Sequence, residues 1–148
     1  MKKTLLAAGL VSTLAATYPV MAEDELAIEV YKSPTCGCCG DWVTHLEENG
    51  FTVDVTDTNN MNQIKMDAGL SPQLASCHTA FIDGYVIEGH VPAADIRKLV
   101  ETTPMAHGLS VPGMPMGSPG MDIGDRQDHY EVLLFNKAGQ TRVFSEYN

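Results

Sequence analysis

The chain has 148 residues, with 9 Lys and Arg against 19 Asp and Glu and a formal net charge of −10. Acidity of this size argues against nucleic acid or anionic lipid as a partner. One domain is expected at this length, with a core large enough to stand without disulfide staples, so the four cysteines ask for another explanation.

The start Met1-Lys2-Lys3, the apolar stretch Leu5 to Ala16 and the small residues of Val20-Met21-Ala22 before the acidic run Glu23-Asp24-Glu25 read as a signal peptide over residues 1–22. A membrane-spanning helix would need about 20 apolar residues. The expectation is therefore an exported, periplasmic bacterial protein comprising residues 23–148, with no membrane insertion after cleavage. Loss of Lys2 and Lys3 takes the charge from −10 to −12.

Ala27 to Tyr31 alternates apolar and polar residues and reads as a strand. The run Cys36-Gly37-Cys38-Cys39 follows at once. Trp42, Val43 and Leu46 then recur at helical spacing up to the stop Asn49-Gly50, which puts the thiols at a strand-to-helix turn. Phe51, Val53 and Val55 give a second strand and close a βαβ unit. Asp57 to Asn60 offers caps for a helix carrying Met61, Ile64 and Ala68 and ending near Gly69; Met61 and Met66 read as core or surface fillers.

Thr79 to Ile82 and Tyr85 to Glu88 flank Asp83-Gly84, a type I′ hairpin signal. Pro92 opens a helix with Ile96, Leu99 and Val100 inward and Arg97 and Lys98 outward. Residues 104–124 carry Pro, Gly and Met without periodicity and read as a long loop. A second hairpin over 131–144, around Asn136-Lys137-Ala138-Gly139, either extends the sheet or caps the site. The order βα, βα, ββα with cysteines opening the first helix is that of an α/β, thioredoxin-like domain: a mixed sheet with flanking helices.

A helix N-terminus presents free N–H groups and a partial positive charge, so thiols placed there ionise readily, and the thiolate is the form that binds metal and attacks disulfides. Cys36 and Cys39 have the spacing of dithiol oxidoreductases, Cys36 and Cys38 that of small metal chelates, and Cys38-Cys39 is a vicinal pair. In a thioredoxin-like topology the loop entering the third strand passes close to this motif. That loop reads Ser76-Cys77-His78-Thr79, with Cys77-His78 where thioredoxins place a cis-proline. Cys77 would bring a fourth sulfur and His78 an imidazole to the first three.

Thiolates select soft metals, and three sulfurs within one turn spread poorly to the corners of a zinc tetrahedron. Cu(I) accepts two or three ligands and tolerates bridging thiolates, so a cluster holding more than one Cu(I) is the sharper expectation. The bland alternative is a pair of disulfides, for example Cys36 with Cys39 and Cys38 with Cys77, and an oxidised metal-free form can alternate with a reduced loaded one.

The loop holds Met105, His107, Met114, Met116 and Met121 among Pro104, Pro112, Pro115 and Pro119. Thioethers ligate Cu(I) and not hard cations, so Met114 and Met116 are secondary ligand candidates; methionines serve equally as an adaptable apolar lid. His78 is a candidate because it adjoins Cys77, with packing as its alternative. His107 and His129 flank the loop as a candidate secondary surface site. His90, before Val91-Pro92, reads as a helix cap, and His45 as a solvated residue of the first helix.

The runs Cys36-Gly37-Cys38-Cys39-Gly40-Asp41-Trp42, Cys77-His78-Thr79-Ala80, Gly84 to Pro92 and Val111 to Met121 resemble the CopG family of periplasmic copper-resistance proteins, a resemblance that extends from about Leu26 to Phe144. The resemblance implies a thioredoxin-like fold and copper held at a thiolate cluster, with Cys36, Cys38, Cys39 and Cys77 as the ligands and a redox role. A periplasmic electron donor or a copper-export or chaperone protein would be the partner.

Three functional readings follow. The first is a copper-handling protein that binds Cu(I) and couples Cu(II)/Cu(I) interconversion to the dithiol/disulfide change of its own cysteines. The second is a thiol–disulfide oxidoreductase acting on proteins through Cys36 and Cys39, against which stand the third adjacent thiol and the missing cis-proline position. The third is a zinc-bound structural domain.

Overall fold

The computed structural model describes residues 26–148; the expected signal peptide lies outside them. A seven-stranded mixed sheet organises the chain: β1 (Leu26–Lys32), β2 (Phe51–Asp57), β3 (Thr79–Ile82), β4 (Tyr85–Glu88), β5 (Gly108–Ser110), β6 (Tyr130–Phe135) and β7 (Thr141–Tyr147). The strand order is β2-β1-β3-β4-β5-β6-β7. Helices α1 (Gly37–Glu48), α2 (Met61–Asp67) and α3 (Ala93–Thr102) flank it. The β1-α1-β2 unit is parallel, and β3 then enters antiparallel on the other side of β1.

The alternation of each central strand divides the apolar residues between two layers. Ile28, Val30, Ala80, Ile82 and Ile87 pack with Trp42, Val43 and Leu46 of α1 and Ile96 and Leu99 of α3. Val86 and Phe135 face the other way and pack with Ala68 and Leu74, beyond the end of α2. Helix α2 itself buries no residue fully. Asp83 (φ 48°) and Gly84 (φ 81°) both take the left-handed conformation, as the type I′ reading of the β3–β4 turn requires.

Two elements differ from the expectation. The long loop contains β5, which fills the sheet between β4 and β6; three residues are too few to show a period, and its strand geometry comes from backbone bonds to both neighbours. The second hairpin extends the sheet and does not cap the thiols, its β7 forming the outer edge.

That edge is tied to α3 by a buried carboxylate. Asp95 accepts hydrogen bonds from Ser145 Oγ and, at 2.7 Å, from Tyr147 Oη. Burial and the neighbouring Asp95 both push the Tyr147 phenol above its usual range, so it stays a donor. Tyr147→Phe removes one of the two donors from Asp95 and should lower unfolding free energy by about 1–2 kcal/mol. Urea denaturation with an unchanged slope checks this; an unchanged midpoint would show that the bond does not secure β7.

Candidate metal centre

Helix α1 begins in the middle of the cysteine run. Cys36 is the N-cap residue, with extended backbone, and Cys38 and Cys39 lie in the first turn. Trp42, one turn further on, is fully buried and donates from Nε1 to Val91 O at 2.8 Å, which fixes the helix start against the segment following β4. The strand register does the rest. Tyr31 pairs with Thr79, so the exit of β1 toward Cys36 lies beside the entrance to β3 from Cys77.

The sulfurs of Cys36, Cys38, Cys39 and Cys77 lie within 4.8 Å of one another. Cys36 and Cys39 are joined by a disulfide, while Cys38 and Cys77 are free thiols; of the two disulfides considered, only Cys36–Cys39 is formed. Cys38 Sγ lies 3.6 Å from Cys36 Sγ. Binding a metal through all four thiolates therefore requires reduction of one disulfide first.

Cys77 belongs also to a second donor group, with His78 and His90. His78 Nδ1 is 3.2 Å and His90 Nε2 3.1 Å from Cys77 Sγ. The other nitrogen of His90 lies 2.8 Å from Pro119 O, an arrangement that sets Nδ1 as the proton-bearing atom and leaves Nε2 as the acceptor or ligand. His78 is fully buried against the Trp42 ring, centroids 4.2 Å apart, and its Nε2 has no hydrogen-bond partner.

His90 is thus not a helix cap, as the sequence suggests. The N-terminus of α3 is served by His45, whose Nε2 accepts from Ala93 N at 3.1 Å; His45 is half-buried, where the sequence suggests a solvated side chain. The signal for His90 lay in the hairpin. Counting outward from the two-residue turn through Ile82↔Tyr85 and Thr79↔Glu88 sets Cys77 opposite His90, one pleat beyond the end of the paired strands.

The methionine loop lies on this site. Ser76 Oγ donates to Gly113 O, Pro119 O meets His90, and Gly120 (φ 82°) is pressed against α1, where a Cβ would stand 2.6 Å from Cys38 O and 2.7 Å from Trp42 N. Met121 is buried, Met116 half-buried and Met114 exposed. His107 sits apart from the donor groups: its Nε2 is 2.7 Å from Ala68 O and its ring meets Phe135 edge-on, in the opposite layer. His129 Nδ1 pairs with Asn148 Oδ1, and the two histidines form no metal-type group among the described residues.

Burial governs the charge of the pocket. It lowers the affinity of His78 for a proton well below the usual range, with His90 and Lys65 adding to the effect, and it lowers that of His90. The Cys77 thiol is pushed up to about 11, first by burial and then by Cys38. The metal-free pocket therefore holds neutral imidazoles and a neutral thiol at Cys77, and a bound cation would displace the thiol proton. The donor set of thiols and imidazoles fits a soft or borderline metal.

The fold and site define a small mixed α/β protein with a thiol-rich, metal-type centre at a helix start. Two solved structures, named "Copper resistance protein copG- Form 1" and "Copper resistance protein copG- Form 2", are each 50% identical to the chain. The first aligns over 84% of this chain and 98% of its own length with a TM-score of 0.80, the second over 84% and 100% with a TM-score of 0.81. The chain belongs to the CopG family. A family described as "Protein of unknown function, DUF411" matches residues 74–121, the stretch holding Cys77, His78, His90 and most of the loop. No curated protein matches the chain.

Because Cys77 stays protonated to high pH, its alkylation by iodoacetamide in the metal-free protein should climb about tenfold per pH unit from 8 to 10. Peptide mass spectrometry reads the rate residue by residue; a plateau near pH 9 would contradict the half-buried, neutral thiol.

Proposed function

We propose that the chain is an exported, periplasmic copper-resistance protein of thioredoxin-like build that holds Cu(I) in a thiolate cluster formed by Cys36, Cys38, Cys39 and Cys77. The observation that carries this reading is the convergence of all four sulfurs within 4.8 Å, in a chain 50% identical to proteins named for copper resistance. Cu(I) is the cargo: it prefers sulfur, accepts low coordination, and lets a thiolate bridge two ions, which four crowded sulfurs favour over one zinc tetrahedron. His78 and His90 extend the donor set on the Cys77 side, and Met114 and Met116, in the loop over the site, offer thioethers.

The disulfide supports a redox coupling. Two Cu(II) ions oxidise the Cys36 and Cys39 thiolates, each ion gaining one electron as the Sγ–Sγ bond forms, and two Cu(I) ions result. Regeneration takes two electrons from a periplasmic dithiol, which leaves as its own disulfide. An electron donor of that class, and a copper-export or chaperone protein accepting Cu(I), are the partners this implies. Among the described residues no helix is long and apolar enough to cross a membrane.

A second reading, thiol–disulfide exchange on proteins, is favoured by the Cys36–Cys39 disulfide at a helix start. It requires disulfide reductase activity in metal-free protein that survives Cys38→Ser and Cys77→Ser together and is lost with Cys36→Ser.

Anaerobic titration separates the copper reading from a zinc domain. The reduced protein should take up more than one Cu(I) per chain and surrender Zn(II) to it, and the form oxidised at Cys36–Cys39 should take up fewer. Retention of zinc against excess Cu(I) would overturn the assignment.

A further inference from the structure

Glu88 is a charged residue in the wrong place for a small protein: its side chain is fully buried, at the end of β4, where an unpaired carboxylate would be costly. Its partners account for it. Oε1 accepts the backbone N–H of Ser76 at 2.6 Å and the Lys65 ammonium, and Oε2 accepts Thr79 Oγ1–H at 2.7 Å. Lys65 Nζ also donates to Thr79 Oγ1 at 3.0 Å, which closes a triangle between α2, β3 and β4.

The members of this triangle bracket the donors. Ser76 immediately precedes Cys77, Thr79 immediately follows His78, and Glu88 lies two residues before His90. Between Glu88 and His90, Gly89 (φ 73°) lets the two segments close on each other; a Cβ there would stand 2.5 Å from Ser76 Cβ and 2.6 Å from Val111 O. The approach of the Cys77 loop to β4 is thus held by the Glu88 carboxylate together with the backbone bond from Gly89 N–H to His78 O at 3.1 Å, and permitted by one missing side chain. Lys65 reaches in from a helix that buries no residue of its own fully, so packing alone does not explain its position.

We propose that Glu88, charge-compensated by Lys65, is the positioning residue of the centre: it holds the Ser76–Thr79 segment so that Cys77, His78 and His90 face the helix-start thiols. The proposal deepens the copper reading and rests on it for the metal, though its geometry stands without one. A purely structural ion pair would behave differently, because a buried pair can be exchanged for apolar residues with no loss of stability. The carboxylate's bond to Ser76 N–H cannot be supplied by an apolar residue.

The test compares wild type with Glu88→Gln, Lys65→Arg, the double variant Lys65→Met with Glu88→Leu, and Thr79→Val, all reduced and metal-free. Cys77 alkylation should rise by about fivefold or more in Glu88→Gln and in the double variant, since a loosened segment opens more often. Lys65→Arg, which keeps the charge pair, should restore the wild-type rate. Thr79→Val, deleting one hydroxyl, should give a smaller rise and serves if Glu88→Gln does not fold. The double variant should still fold, with its melting lowered only by the unpaired Ser76 N–H and Thr79 hydroxyl, and should load less Cu(I). Wild-type alkylation and loading in a folded double variant, or in Thr79→Val, would overturn the proposal. If wild type itself took up no Cu(I), the copper reading would fall while the alkylation comparison still decided the positioning role.

Discussion

The antiparallel pairing of β1 with β3 is the constraint on which the centre depends. Tyr31 opposite Thr79 brings the end of one strand to the beginning of the other, so that residues far apart in the chain meet at the ends of two central strands. Cys36, Cys38 and Cys39 leave β1 on one side of this junction, and Cys77 arrives on the other. The β3–β4 register then sets His90 across from Cys77, and Trp42 Nε1 holds the helix start to the segment after His90. Four sulfurs and two imidazoles are gathered by backbone pairing, with no long-range disulfide among the described residues to hold them.

The pocket so formed is poised chemically by its burial. Burial disfavours charge, so the histidines lose protons and Cys77 keeps its own in the metal-free protein. On the proposed copper reading, metal binding and thiol oxidation would compete for the same atoms: Cys36 and Cys39 joined to each other cannot serve as thiolate ligands. On that same reading, the surrounding redox poise would set how much of the protein is ready to take metal, and the disulfide would then have a role apart from fold stability.

Much of this was legible in the sequence because local rules carried it. The cysteine run at a strand-to-helix turn, the Asp83-Gly84 hairpin and the helix after Pro92 each follow from spacing or turn chemistry, and the fold class follows from their order. What escaped depends on tertiary register. β5 has too few residues to reveal a period, and Lys65 and Glu88 look like ordinary surface charges until the sheet brings them together. His45 takes the helix-terminus role that the sequence suggests for His90, meeting the α3 N-terminus across the helix layer, while His90 is turned inward to Cys77 by the hairpin. His107 sits in the methionine loop by sequence and in the opposite layer in space.

The central claim is that Cys77 completes one sulfur pocket with the helix-start trio. Copper-edge X-ray absorption of the anaerobically loaded protein, beside its Cys77→Ser variant, tests it most directly. Sulfur-dominated coordination is expected, with a short copper–copper vector that disappears in the variant. Coordination dominated by nitrogen or oxygen, or a spectrum indifferent to the loss of Cys77, would contradict it.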